Sequence, residues 1–246
     1  MNLSNSSVGL FGKLPAHGDF IYRNLPSNFI NAWDSWLQGF VGSSQEQIGE
    51  EWLDVYLTSP IWRFVLSEGV VDGSCWAGIM LPSVDRVGRY FPFSVAARLP
   101  ANANPFDMIK QNEWYEAIEQ AALKALSGQL QIDDLATELN QHKYQLDSAY
   151  KPDVAMPEKQ GTLIHLENDA ASIDSVYPFL LDSICKEQLV SYSLWATAYG
   201  SQFVEPGLFY TRGLPSLRGV AALLDGQWSA RGWHQPYSLK SHSTPM

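Results

Sequence analysis

Positive charge is scarce in this sequence. Sixteen Lys and Arg stand against 26 Asp and Glu, a net charge of −10 over 246 residues. No basic arm or stripe is present to neutralise a phosphate backbone, so nucleic-acid binding is not expected. An anionic membrane surface would repel the chain as well. Cysteine is nearly absent. Cys75 and Cys185 lie far apart and make no disulfide framework; Cys75 sits in an apolar run, where a buried free thiol is expected. No apolar run approaches the ~20 residues of a membrane span. The N-terminus, MNLSNSSVGLF, lacks the positive region and apolar stretch of a secretory signal. These absences point to a reduced, cytoplasmic protein. Charged residues are few too, at 17% against 46% hydrophobic, a globular rather than a disordered composition. A single domain of this length buries roughly 70–75% of its unfolded surface, enough to fold without a metal or a disulfide.

Aromatics are what the chain has in surplus: nine Trp, eleven Tyr and eleven Phe. Most belong in a core. Trp is also enriched at interfaces, so part of the surplus could serve a binding face.

Along the chain, VGLFGKL (8–14) reads as a short strand, and LPAHGDFIYRNLP (14–26) as a loop bounded by prolines. Ser27 then fits a helix N-cap. Phe29, Ile30, Trp33, Trp36, Leu37 and Phe40 follow at helical spacing. A shorter helix crosses 50–57, and WRFVLS (62–67) reads as a strand. CWAGIML (75–81) is apolar on both faces, as an interior strand is. In FPFSVAARL, Phe91, Phe93, Val95, Ala97 and Leu99 fall on one side. The residues between these two strands form a hairpin loop, in which Gly88 supplies any positive φ.

Asn104-Pro105 starts a helix, and a helix covers 114–126, stopped at Gly128. Asp133 or Asp134 caps another to about Ser148. Residues 151–161 read as loop and TLIHLE (162–167) as a strand. A helix then begins near Val176, because Pro178 is tolerated only in its first turn. SLWATAY (193–199) and GLFYT (207–211) read as strands. Ser216 caps a last helix that ends at Gly226. Interspersed strands and helices indicate an α/β domain with a mixed sheet. It spans 8–235, with flexible ends at 1–7 and 236–246.

Chemistry is hard to find. His17, His142, His165, His234 and His242 show no metal-ligand spacing. There is no GxSxG elbow and no phosphate-binding P-loop; Gly12 in GLFGK is better read as a bend at a strand end. No metal or cofactor is expected. The exception is PSVDRVGRYFPF (82–93), which concentrates Asp85, Arg86 and Arg89 beside Gly88 in a chain poor in arginine. An arginine fork on a nearby carboxylate ties a loop together. The same loop on a rigid sheet is also where recognition residues gather. Lys13, His17 and Asp19 join them if the first strand ends at the same edge of the sheet.

Several segments together resemble one family. They are GLFGKLPAHGDF (9–20), LPSNFINAWDSWLQ (25–38), SPIWRFVLSEG (59–69), WAGIMLPSVDRVGRYFPF (76–93), SLWATAYGS (193–201) and RGLPSLRGVAALLDGQW (212–228). In this order they are similar to the TagF family of type VI secretion system-associated proteins. The resemblance implies a three-layer αβα sandwich. It also implies a non-enzymatic, cytoplasmic accessory protein of a Gram-negative bacterium, which represses assembly of the secretion apparatus after translation. The implied partner is the forkhead-associated scaffold protein of that system. The phosphatase domain fused to some members has no room here and shows no motif. The resemblance brings no agreed site residues, so the candidate partner-binding surface is Lys13, His17, Asp19, Asp85, Arg86 and Arg89. A rival reading is a small hydrolase or nucleotide-binding enzyme built on Arg86 and Arg89. It would need a pocket, with Lys13 and Asp19 facing Arg86 across it. A third is a structural subunit of the apparatus itself.

Overall fold

The computed structural model describes residues 8–146, 173–234 and 238. Among these residues seven strands form one open sheet: β1 (Val8–Gly12), β2 (Ile21–Arg23), β3 (Trp62–Leu66), β4 (Trp76–Leu81), β5 (Phe93–Arg98), β6 (Tyr192–Thr197) and β7 (Gly207–Arg212). Their order across the sheet is β2-β1-β5-β4-β3-β6-β7. Every pairing among the described residues is antiparallel, so the expected mixed sheet is not found there. The reason is connectivity. β1–β2 and β6–β7 are hairpins and β3–β4–β5 is a meander, which need no parallel crossover.

The sheet's two faces carry different chemistry because side chains alternate along each strand. In β3, Trp62, Phe64 and Leu66 face one cluster and Val65 the other. The first cluster is aromatic. It packs against α1 (Ser27–Ile48), α2 (Trp52–Leu57) and α7 (Ala222–Asp225). The second is mainly aliphatic and packs against α3 (Pro105–Met108), α4 (Asn112–Leu126), α5 (Ile132–Gln141) and α6 (Tyr177–Leu189). None of the nine tryptophans is exposed. Trp33 lies 4.8 Å from Phe64, 5.2 Å from Trp36 and 6.2 Å from Trp195 between ring centroids. The tryptophan surplus therefore fills the core rather than a binding face.

Several local expectations change. β2 lies inside the segment read as loop; it is three residues long and buries only Ile21, too little to show alternation. Ser27 is the first helical residue rather than its cap: Pro26 holds that position in extended conformation, with no side-chain cap. Phe91 joins the aromatic cluster while Phe93, Val95, Ala97 and Leu99 line the aliphatic one, because β5 starts only after Pro92. Asp133 and Asp134 stand in the first turn of α5 behind Gln131, where they complement the helix dipole. Gly88 does take positive φ, at 87°, and Asn104 caps α3 by accepting from the Phe106 and Asp107 amides. The helix expected to reach about Ser148 stops at Gln141, where His142 turns to extended backbone and no helical residue follows through 146. The expected loop at 151–161, strand at 162–167 and flexible ends at 1–7 and 236–246, Ser238 apart, lie outside the described residues.

Candidate functional site

β1 and β5 run antiparallel with Phe11 opposite Ser94. The end of β1 therefore meets the start of β5, and loops 13–20 and 82–92 emerge at one end of the sheet. All six candidate residues lie on these two loops. The 82–92 loop continues its hairpin through a bridge between Val84 and Tyr90.

Asp85 is the hub. Its carboxylate is buried, with none of the side chain exposed. Oδ2 accepts from Lys13 Nζ at 2.9 Å and from Arg89 Nε at 2.6 Å. Oδ1 accepts from the Val87 amide at 3.0 Å and the Arg89 amide at 2.9 Å. Arg89 also donates through Nη2 to the Gly18 carbonyl. The Arg86 amide donates to the His17 carbonyl at 3.0 Å, and Ser83 Oγ donates to the Lys13 carbonyl at 2.7 Å. Tyr56 anchors the base from α2: its hydroxyl donates to the Ser83 carbonyl at 3.0 Å and accepts from the Ser83 amide at 3.1 Å. Lys13 Nζ also sits 5.0 Å from the centre of the Phe20 ring, close enough for a cation–π contact.

Desolvation pushes the Asp85 carboxyl upward. The hydrogen bonds from the Arg89 amide, Lys13, the Arg89 side chain and the Val87 amide outweigh it, and the carboxyl is held well below the usual aspartate range. A depressed folded pKa contributes stability that is complete above the unfolded value, near ~3.9, and is lost as pH falls through the folded one. We expect the stability gap between wild type and Asp85→Asn to stay constant from neutral pH down to about pH 5 and to close only below about pH 4. Urea unfolding at a series of pH values checks this. A gap that closes above pH 5 would show that the carboxylate is not held as described.

The six residues divide. Lys13 and Asp85 are buried and hold the two loops together. Arg89 belongs with them through its guanidinium, although its side chain is 58% exposed. Arg86 is exposed and lies along the other loop; a Cβ at Gly18 would sit 3.5 Å from its Nη2. Asp19 is exposed and His17 half-buried. Ser83 and Tyr56 were not singled out from the sequence. Ser83 lies inside the PSVDRVGR segment, but its bond to Lys13 spans 70 residues and leaves no local signal.

The concavity lined by Tyr56, Trp62, Met80 and Leu224 includes none of the six, nor does the one lined by Leu130, Thr137 and His142. No group of His, Cys, Asp and Glu among the described residues could hold a metal ion. No described helix is long and apolar enough to cross a membrane.

Comparison with known proteins decides the family. A family model, the TagF N-terminal domain, type VI secretion system-associated, matches residues 9–142, which include both loops of the site. The chain belongs to the TagF family. Its structure is similar to the crystal structure of PA0076 from Pseudomonas aeruginosa PAO1. The TM-score is 0.74 at 33% identity, over 96% of this chain and 100% of that one. No curated protein matches it. In this TagF-family chain, the Lys13–Asp85–Arg89 hub and Arg86 both fall inside the matched domain.

Proposed function

We propose that this chain is a non-enzymatic, cytoplasmic accessory protein that represses type VI secretion system assembly after translation by binding the system's forkhead-associated scaffold protein. The observation that carries this reading is the TagF domain over residues 9–142. The site geometry supports a recognition role for one part of it. A hub of hydrogen bonds fixes two loops and leaves Arg86 exposed on a stiff frame, beside His17 and Gly18 of the other loop. A pre-ordered loop loses little entropy when it docks. The rival enzyme reading needs a pocket around Arg86 and Arg89 with Lys13 and Asp19 facing Arg86 across it; Lys13 and Arg89 instead both bind Asp85, and neither concavity described above includes any of these residues. We also read the architecture as a three-layer αβα sandwich, supported by the separate core clusters on the two faces of the sheet.

The test separates the two arginines. Wild type, Arg86→Ala and Arg89→Ala are used to capture the scaffold from a lysate of the host, with thermal melts alongside. Arg86→Ala should lose the scaffold and keep the wild-type melting temperature. Arg89→Ala should lower the melting temperature. Failure of wild type to capture the scaffold would refute the partner assignment, and undiminished capture by Arg86→Ala would refute the contact residue.

A further inference from the structure

The sheet's two edges are finished differently. β2 is three residues long, ends in an arginine, and folds the Arg23 guanidinium back on the Tyr22 carbonyl at 2.9 Å. A short, charged edge of this kind resists pairing. β7 is six residues long and has no proline or charge before its last position. Phe209 packs on its inner side with Trp62, Trp228 and Trp233. On the reverse face Leu208 and Tyr210 are 55% and 59% exposed, and they pair across to Ala196 and Leu194 of β6. Among the described residues no strand lies beyond β7.

The strand's chemistry is complementary to itself. It reads Glu205-Pro-Gly-Leu-Phe-Tyr-Thr-Arg212, acidic at the start, apolar in the middle and basic at the end. We propose that β7 is the docking edge for a second copy of this chain, joined antiparallel about a two-fold axis at Phe209. In that register Leu208 lies opposite Tyr210 of the other copy, so apolar side chains meet on one face. Arg212 lies opposite Pro206 and next to Glu205 of the other copy, which places opposite charges together at both ends. A two-fold arrangement satisfies both edges at once and closes the assembly.

Arg212 also donates to the Gln188 carbonyl of α6 at 3.1 Å, and α6 leaves Leu181 and Ile184 exposed. With Leu208 and Tyr210 these leave on the order of 400 Å² of apolar surface open, the size of the largest patch on a typical monomer, which is often functional. Backbone pairing would add to it, toward the ~800 Å² per partner of a stable complex.

Sedimentation of the purified chain at roughly 100 µM, which populates any dimer with a micromolar Kd, should show a dimer. A Leu208→Lys/Tyr210→Lys variant should be monomeric with an unchanged melting temperature, and Tyr22→Lys on the opposite edge should remain a dimer. As a second readout, a Leu208→Cys/Tyr210→Cys variant should form a disulfide-linked dimer under mild oxidation, because opposed strand positions meet disulfide geometry. Tyr22→Cys should not. A monomeric wild type, a dimer that survives the lysine variant, or absence of the cross-link would overturn the proposal. So would a monomer whose β7 edge is taken by a different protein.

Discussion

Replacing Glu119 with alanine is expected to lower folding stability by about 3–5 kcal/mol, the cost of stranding a buried charge. The charge is that of Arg63, in the middle of the sheet on β3 and only 3% exposed. Its guanidinium donates through Nε to Glu119 Oε1 at 2.6 Å and through Nη2 to Oε2 at 3.0 Å. Nη1 reaches Asn112 Oδ1 at 2.9 Å. The planar fork also lies 5.2 Å from the Tyr115 ring, whose hydroxyl donates to the Phe64 carbonyl at 3.1 Å. Helix α4 is thus keyed to the strand by a two-pronged ion pair and a tyrosine. Removing Glu119 leaves a buried guanidinium without its paired carboxylate. Removing both should cost far less, because two apolar side chains of similar volume can replace a buried pair. Equilibrium urea unfolding of Glu119→Ala and of Arg63→Met/Glu119→Leu makes the comparison. A loss below about 1 kcal/mol in the single variant would mean that water reaches Arg63 and solvates it.

Arg63 shows where reading this sequence stops. WRFVLS gives a strand from its own residues, and the strand is there. That its single charge is buried depends on a carboxylate 56 positions away. Elements with strong local patterns were legible in the same way: the aromatic stripe of α1, the doubly apolar β4, the asparagine–proline start of α3. The antiparallel order of the sheet was not, because hairpins and crossovers differ in connection geometry and not in strand composition. The site was half legible. Asp85, Arg86 and Arg89 attract notice in a chain poor in arginine. Their separation into a loop tie and an exposed side chain depends on which guanidinium turns inward, and the two differ by three positions in a turn whose path Gly88 bends. The buried state of Lys13 follows from the pairing of β1 with β5, which no local pattern records.

That pairing also carries the second large effect, at Gly12. This residue ends β1 with φ at 127°, a backbone conformation that side-chain-bearing residues avoid. A Cβ there would sit 2.1 Å from the Pro92 carbonyl oxygen and 2.9 Å from Phe93 Cα. Both are backbone atoms at the entry to β5, so no rotamer change relieves the clash. Gly12→Ala should cost about 2–5 kcal/mol, from the φ strain together with forced overpacking. The damage should also be local. Lys13 follows directly, and its carbonyl accepts the Ser83 hydroxyl that holds the two loops together. Pushing Pro92 away from Gly12 parts those loops and draws Lys13 Nζ from Asp85. Hydrogen exchange can see this separately from global unfolding. The Val87 and Arg89 amides, which donate to Asp85 Oδ1, should exchange faster than the overall loss of stability explains, while amides of β3 and β6 follow the global value. Lys13→Met is the matching control, because it removes the ammonium and leaves the backbone in place. If Gly12→Ala were as stable as wild type and kept those two amides protected, the close approach of β1 to Pro92 would not be what sets the site.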